Sequence, residues 1–348
     1  MSYLVVFLIA MILAVIATPL VIRLARHFNV VDYPTGGRRI HNRPVPLLGG
    51  LAMYAAFWLT VLLTQPWNRM FLGLFIGSTI ILIAGIWDDI KELRPLPKLI
   101  CQVVAAVALL FFGFSVENIS LPVIGVVEFS HPNLSWLGMI LIVLWIVGLV
   151  NTVNISDGLD GLAAGICFGA ALILFWSAHR ISQYPAANLT MALAGAALGF
   201  LFFNFFPAKI FMGDTGSMFL GYMIGGISIM GLLKTATILG LVFPLIVLGM
   251  PLTDLTFAIV RRKLKGQSIS KADRGHLHHR LLDMGYTQRQ AVLILYGLST
   301  CFGLTAILGT SKGWIWAAVL LIFDLFLLGL IFMRKTSYFL VPGKRAGK

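Results

Sequence analysis

Two adjacent carboxylates, Asp88 and Asp89, follow an apolar run in the segment IAGIWDDIKELRPLP, residues 83–97. The C-terminal end of a helix carries partial negative charge, so two carboxylates there repel each other and the helix dipole. Such a pair is costly unless a cation or a basic partner neutralises it. The functional interpretation is a bound metal ion, and the simpler one is a solvated helix end with Lys91 and Arg94 as counter-ions.

A second polar cluster lies in NTVNISDGLDGLAAG, residues 151–165. Asn151 and Asn154 are three residues apart, as are Asp157 and Asp160, and a glycine follows each acid. The amides and carboxylates supply donors and acceptors, while the glycines allow backbone to approach a ligand closely. Capping of the next helix by Asp157 or its neighbouring serine is the alternative. Capping needs one such residue, so the density of polar groups favours a binding function.

A third cluster, NFFPAKIFMGDTGSMFLG at residues 204–221, places Asp214 at the start of a predicted helix. Free backbone N–H groups at a helix N-terminus bind anions. Asp214 can therefore either cap this helix or hold a divalent ion against a bound phosphate. Magnesium is typically held by one or two carboxylates together with phosphate oxygens of a substrate.

The fourth cluster lies in residues 261–291 and contains His276, His278 and His279. Zinc is disfavoured because no cysteine accompanies these histidines and the i, i+4 pair of a helical zinc site is missing. With arginines on both sides, including Arg280, the histidines suit a phosphate or nucleotide contact. Attraction of a basic patch to anionic lipid is the alternative, and it explains the arginines and lysines but not the histidines.

The elements that carry these clusters are membrane-spanning helices. Of the 348 residues, 59% are hydrophobic and 11% are charged, and the mean hydropathy is +0.94. This composition predicts an all-α, polytopic integral membrane protein with one domain over residues 1–348, and the segment 117–135 predicts a small hairpin. About eleven transmembrane helices are expected, at residues 2–24, 46–64, 69–87, 98–115, 135–152, 159–178, 187–205, 215–231, 236–260, 291–309 and 314–333.

The distribution of charge predicts the orientation. Of the 26 Lys and Arg residues, all but Arg69, Arg180, Lys234 and Lys312 lie in or beside the loops after odd-numbered spans or in the C-terminal tail. Because cytoplasmic loops retain basic residues, the N-terminus is expected outside and the C-terminus in the cytoplasm. Most acids share that face although acids contribute little to topology. The predicted active face is cytoplasmic and comprises loops 25–45, 88–97, 153–160, 206–217 and 261–290.

These residues favour phosphoryl transfer at the lipid boundary. Carboxylates for a metal, polar amides and basic residues supply the positioning and charge neutralisation that this chemistry needs. The cations are dispersed over several loops beside a membrane, so no nucleic-acid partner is expected. A cation-coupled secondary transporter is the rival, with Asp254 and Asp324 inside spans and breaks at Pro244 and Pro251. The acids gather at one surface, however, and not at mid-membrane.

Four ordered motifs, WDDIKELRPLPK, NTVNISDGLDG, FMGDTGS and DRGHLHHRLLDMGY, resemble the polyprenyl-phosphate N-acetylhexosamine-1-phosphate transferase family across nearly the whole chain. The topology looks like the branch that uses UDP-N-acetylglucosamine. Relatives that use UDP-N-acetylmuramoyl-pentapeptide typically show three consecutive histidines in the last motif. Leu277 replaces the second one here, which favours the simpler sugar.

The resemblance implies transfer of N-acetylglucosamine 1-phosphate from UDP-N-acetylglucosamine to undecaprenyl phosphate, with release of UMP. Mg²⁺ is the implied cofactor, and Mn²⁺ could replace it. The implied setting is the bacterial cytoplasmic membrane and its lipid, at the first membrane step of a cell-envelope glycan pathway. Another UDP-N-acetylhexosamine or UDP-N-acetylmuramoyl-pentapeptide as donor, a homodimer, and a one-step or two-step route all stay open.

By matching motif positions, the resemblance implies roles for individual residues. Asp214 would ligate the metal with support from Asn154 and Asp157, which would also meet the diphosphate. Asp88 and Asp89 would orient or deprotonate the lipid phosphate. The implied substrate-binding residues are Arg43 and Lys98 for phosphate, Asn204 and Phe211 for uracil, and His276, His278, His279 and Arg280 for the sugar or diphosphate.

Overall fold

The computed structural model describes residues 1–34, 43–116, 118–121, 125–128, 134–231, 246–264, 266, 276–309 and 314–333. Within these ranges the chain forms twelve helices. They are α1 (Tyr3–His27), α2 (Gly49–Thr64), α3 (Arg69–Lys91), α4 (Pro95–Phe111), α5 (Ser135–Ser156), α6 (Leu162–Arg180), α7 (Tyr184–Asn204), α8 (Gly213–Gly231), α9 (Gly249–Leu264), α10 (Leu277–Asp283), α11 (Gln288–Gly309) and α12 (Trp314–Met333).

The described strands form two short antiparallel hairpins. Strand β1 (Val31–Asp32) pairs with β2 (Val45–Pro46), and β3 (Asn118–Leu121) pairs with β4 (Gly125–Glu128). The β3–β4 pair confirms the hairpin predicted within residues 117–135, of which 117, 122–124 and 129–133 lie outside the described residues. The all-α prediction is confirmed apart from these strands.

Seven described helices, α1, α3, α5, α6, α7, α11 and α12, are long and apolar enough to cross a membrane, and α2 and α4 are shorter apolar helices. The chain is therefore a multi-pass membrane protein. Each of the eleven predicted spans overlaps a described helix. The first part of span nine, up to residue 245, and Pro244 with it lie outside the described residues. The count of eleven stays a prediction.

Several predicted loops are partly helical. The acid pair lies in the last turn of α3, and the GDTGS sequence forms the first turn of α8. Helix α9 extends into the predicted loop 261–290, which also holds α10 and the start of α11. Residues 35–42, 265 and 267–275 of the predicted loops lie outside the described residues.

Helix α8 is the centre of the bundle, because every residue from Thr215 to Gly231 is buried. It packs against α2, α3, α5, α6 and α7. Helices in lipid approach closely where small residues allow it. A Cβ on Gly50 of α2 would overlap the backbone of Gly216, and a Cβ on Gly85 of α3 would overlap that of Thr215. Gly50 therefore allows the first turn of α8 to pack against α2, and Gly85 allows it to pack against the last turns of α3, where the acid pair lies.

Candidate active site

A cavity of about 800 Å³ collects most of the predicted site residues. This volume lies in the range of small-molecule sites. The predicted residues in its lining are Arg43, Asp88, Asp89, Asn154, Asp157, Asn204, Phe211 and Asp214. Asp32, Glu92, Asp160 and Gln288 also line the cavity. Asp160 belongs to the second polar cluster of the sequence, Asp32 and Glu92 are among the acids predicted on the cytoplasmic face, and Gln288 carried no signal in the sequence.

Asp89 caps the N-terminus of α8 from a position 125 residues earlier in the chain. Its Oδ1 accepts from the backbone N–H of Asp214 at 2.7 Å. Its Oδ2 accepts from the backbone N–H and the hydroxyl of Thr215, at 3.2 and 2.6 Å. Gly213 has φ +67°, and a Cβ there would overlap the carboxylate of Asp89. Asp89 thus fixes the turn that carries Asp214, a cap supplied by another helix.

We expect Asp89→Asn to reduce transfer by roughly 10- to 100-fold, because two donors of Thr215 lose their acceptor at a cost of about 1–3 kcal/mol. Thr215→Val should cost several-fold, and Thr215→Ser, which keeps the hydroxyl, should stay close to wild type. The effects of Asp89→Asn and Thr215→Val should not add when both are present, since both break one contact. Strictly additive losses in steady-state rates would contradict the capping role.

Asp88 is held differently from its neighbour. Its Oδ1 accepts from the backbone N–H of Leu93 at 2.9 Å, and its Oδ2 lies 3.4 Å from Nζ of Lys98. The counter-ion of Asp88 is therefore Lys98 in the first turn of α4. The alternative of a solvated helix end with Lys91 and Arg94 as counter-ions is not what the described residues show.

Asp214 stands in the first turn of α8 with both carboxylate oxygens engaged. Oδ1 accepts from Asn154 Nδ2 at 2.9 Å, and Oδ2 forms an ion pair with Lys98. Asn154 Nδ2 also donates to Ser217 Oγ at 2.9 Å, and that hydroxyl donates onward to the carbonyl of Gly213. In this arrangement Asn154 orients Asp214 through its amide nitrogen. Since Asp89 takes the helix N–H groups, Asp214 is not the cap of α8.

The loop between α5 and α6 presents Asp157 to the cavity. Burial, together with the neighbouring carboxylates of Asp89 and Asp160, raises the pKa of Asp157 to about 7. The N-cap of helix α6 is Gly161, which has φ +81°. Neither Ser156 nor Asp157 therefore stands at the start of this helix. Ser156 donates instead to the carbonyl of Thr152 within α5. The capping alternative for this motif is therefore wrong.

Asn204 joins two loops of the cavity wall. Its Oδ1 accepts from Gly161 N–H at 3.1 Å, and its Nδ2 donates to the carbonyl of Ile210 at 2.9 Å. The residue is 2% exposed, so its amide is engaged in positioning the loops. Phe211 lines the same wall. Uracil contacts from these two residues stay a prediction.

The histidine motif lies beside the cavity and not in its lining. Asp254 of α9 fixes the start of α10: Oδ1 accepts from the backbone N–H of Leu277 at 3.0 Å, and Oδ2 lies 3.2 Å from His276 Nδ1. Arg280 donates to the carbonyl of Phe332 at 2.7 Å, at the end of α12. Direct contact of these residues with the sugar or diphosphate stays a prediction.

His278 packs against Gly158 in the α5–α6 loop. Its ring is 4% exposed, packs 4.3 Å from the ring of His279, and occupies the space that a Cβ on Gly158 would fill. Burial, together with the neighbouring His279 and His276, lowers the pKa of His278 to about 3. His278 is therefore neutral at pH 7 and offers a hydrogen-bonding imidazole without charge.

The contact between Gly158 and His278 gives a size-compensation prediction. Gly158→Ala should reduce activity by about tenfold, because the added methyl group must displace either the ring or the loop that carries Asp157. Combining Gly158→Ala with His278→Ala removes the obstructing ring and should restore part of the loss, as measured by initial rates. A double variant that is less active than either single variant would contradict this packing. Gly148→Ala in α5 is the control, since a Cβ there meets nothing within 4 Å.

The carboxylate oxygens of Asp214 are the kind of ligand atom that a hard divalent cation prefers. Within the described residues no group of three His, Cys, Asp or Glu side chains could hold a metal by itself. Magnesium, however, is usually bound by one or two carboxylates plus water and substrate phosphates. Asp214 Oδ2 is buried and contacts the Lys98 ammonium. Because this oxygen already binds a positive charge, a metal ion could use it as a ligand.

Comparison with known proteins decides the family. A profile described as Glycosyl transferase family 4 matches residues 71–232. A Bacillus subtilis protein named probable undecaprenyl-phosphate N-acetylglucosaminyl 1-phosphate transferase is 37% identical over 329 residues, covering 94% of this chain and 89% of that protein. The chain belongs to glycosyl transferase family 4. It is accordingly a transferase, and the secondary-transporter alternative is wrong.

Two further relatives are also named as transferases that act on related substrates. A Mycolicibacterium smegmatis protein named decaprenyl-phosphate N-acetylglucosaminephosphotransferase is 36% identical over 318 residues, covering 83% of this chain and 77% of that protein. A Bacillus pumilus phospho-N-acetylmuramoyl-pentapeptide-transferase is 34% identical over 324 residues, covering 87% of this chain and 94% of that protein. The resemblance seen in the motifs is thereby confirmed. The two acids that suggested a transporter have partners within the bundle. Asp254 contacts His276 and Leu277, and Asp324 accepts a hydrogen bond from Thr305.

Proposed function

We propose that this enzyme transfers N-acetylglucosamine 1-phosphate from UDP-N-acetylglucosamine to undecaprenyl phosphate and releases UMP. The observation that carries the proposal is the convergence of Asp88, Asp157 and Asp214 from three separate helix ends on one cavity. Helices long enough to span a membrane lead to this cavity, which suits a reaction between a lipid phosphate and a soluble nucleotide sugar. The names of the relatives at 37% and 36% identity support this pair of substrates.

The electrostatics of the cavity support a requirement for a divalent cation. Among the described residues, its lining contains seven carboxylates, those of Asp32, Asp88, Asp89, Glu92, Asp157, Asp160 and Asp214, and one arginine, Arg43. Both substrates are anionic, so this lining would repel them without added positive charge. Asp214 and Asp157, with Asn154, would hold Mg²⁺ or Mn²⁺. When bound, such an ion neutralises charge on the transferring phosphoryl oxygens and on the leaving diphosphate.

The chain's own residues would perform the positioning. Arg43 and Lys98 supply cationic donors for the phosphates, and Asp88 orients Lys98. Asp89 holds the turn that presents Asp214. Direct attack by the lipid phosphate and a route through an aspartyl intermediate both fit these residues.

The finer points of topology belong to the same proposal. Eleven transmembrane helices in one domain, an outward N-terminus and a cytoplasmic C-terminus place the predicted loops, and the cavity that they line, on the cytoplasmic face. The distribution of basic residues supports this orientation. Homodimer formation stays a prediction.

Purified full-length protein in detergent, supplied with undecaprenyl phosphate, Mg²⁺ and a panel of UDP-sugars, tests the proposal. We expect UMP and a lipid-linked product from UDP-N-acetylglucosamine. Product only from UDP-N-acetylmuramoyl-pentapeptide or another N-acetylhexosamine would refute the assigned donor. A single-turnover reaction without lipid separates the two routes, since stoichiometric UMP release would exclude direct attack as the sole mechanism.

A further inference from the structure

The ammonium group of Lys98 is shared by two carboxylates from different helices. Its Nζ lies 3.4 Å from Oδ2 of Asp88 and forms an ion pair with Oδ2 of Asp214. The exposed fractions of the three side chains are 18% for Lys98, 16% for Asp88 and 24% for Asp214. Partial burial keeps solvent and salt from screening these interactions fully. Lys98 is therefore the cation in direct contact with the carboxylate oxygen that a metal would use.

The placement of Lys98 does not serve the stability of its helix. Lys98 lies in the first turn of α4, at the positive end of the helix dipole, and Asp88 lies in the last turn of α3, at the negative end. Both charges oppose the dipole of their own helix. The ion pair offsets these unfavourable positions in part. An arrangement that is unfavourable for both helices points to a role at Asp88 and Asp214, the two contacts of Lys98 that line the cavity.

A metal ion and the Lys98 ammonium cannot both contact Asp214 Oδ2 closely. The other oxygen, Oδ1, already accepts from Asn154 at 2.9 Å. A magnesium ion bound at the usual distance of about 2 Å would lie beside the ammonium, and like charges in a partly buried site repel strongly. The flexible stem of Lys98 allows the ammonium to leave, and an anionic phosphoryl oxygen in the cavity is an alternative acceptor.

We propose that Lys98 and the divalent cation compete for Asp214, and that a phosphoryl group of the substrate draws Lys98 away when the cation binds. The phosphoryl ligand rests on the proposed function, whereas the competition concerns only the chain's own residues. Coupling between two ligands is reciprocal. Metal and phosphoryl ligand should therefore each strengthen the binding of the other, and Lys98 should carry most of that coupling.

The test measures Mn²⁺ binding to the purified full-length protein in detergent, by electron paramagnetic resonance of free Mn²⁺, without nucleotide. Lys98→Met should bind Mn²⁺ at least ~10-fold more tightly than wild type, within the usual range of coupling. Lys91→Met is the matched control: it removes the same charge from the exposed end of α3, and its affinity should stay within about twofold because exposed charges are screened. Added UMP should tighten Mn²⁺ binding by wild type several-fold and by Lys98→Met much less.

Equal Mn²⁺ affinity of wild type and Lys98→Met, or an equal gain in Lys91→Met, would overturn the competition. A second measurement on the wild type covers failure of the variant to fold. Reductive methylation followed by peptide mass spectrometry should show faster labelling of Lys98 when Mn²⁺ is added, with Lys91 unchanged. Unchanged labelling of Lys98 would equally overturn it. Absence of transfer with every UDP-sugar would refute the proposed function, while the Mn²⁺ titration would still decide the competition.

Discussion

Replacing Asp214 with alanine is expected to lower Mg²⁺-dependent formation of UMP by at least ~1,000-fold, because metal stabilisation of transferred phosphoryl charge provides several kcal/mol. The substitution removes a carboxylate that both Asn154 and Lys98 contact. Of the two described carboxylate partners of the Lys98 ammonium, it leaves Asp88. UMP and lipid product are measured over a Mg²⁺ titration, so that weakened metal binding and a lowered maximal rate can be told apart.

The matched control for Asp214 is Asp283→Ala. It removes the same charge from an exposed position at the end of α10, outside the lining of the cavity. Its rate should stay within about twofold of wild type, as exposed substitutions away from a site usually have small effects. Activity of Asp214→Ala within tenfold of wild type at saturating Mg²⁺ would rule out Asp214 as the principal metal ligand.

Replacing Asp88 with asparagine should reduce transfer by about 100-fold at pH 7, with no recovery at pH 9. Asparagine can still accept from Leu93 N–H through its carbonyl oxygen, so the local backbone contact survives. What it loses is the charge that pairs with Lys98, and breaking a largely buried ion pair costs about 3 kcal/mol. A mis-oriented lysine is not restored by raising the pH, so the loss should persist.

The pH profile of Asp88→Asn distinguishes an organising role from proton abstraction. A phosphate monoester has a second pKa of about 6, so most lipid phosphate is a dianion at pH 7 and needs no base. If the acids of the cavity raise that pKa above 7 on binding and Asp88 removes the proton, ionisation at pH 9 should restore activity. Initial rates from pH 6 to 9, with Asp283→Ala as a control for tolerance of high pH, decide between these roles.

Composition and motif spacing by themselves determined the kind of protein, and they predict the face of the membrane on which it works. Long apolar runs cannot be solvated, so they predict spanning helices wherever they occur. Carboxylates are costly at a membrane boundary, so Asp88, Asp157 and Asp214 predicted a phosphoryl-transfer site without a structure. The same residues line one cavity, because Asp88 and Asp157 lie at the ends of two helices that pack against α8, and Asp214 lies in the first turn of α8 itself.

Only the tertiary structure decided which partner each polar group has. Asp89 caps helix α8 at Asp214, which lies 125 residues later in the chain. The counter-ion of Asp88 is Lys98, whereas the sequence suggested Lys91 and Arg94. Asn204 forms hydrogen bonds to backbone groups through both the oxygen and the nitrogen of its amide. Hydrophobic periodicity reports which face of a helix is apolar, but not which helix packs against it. In a bundle whose helices are apolar on nearly every side, close approach at glycines such as Gly50 and Gly85 sets that choice.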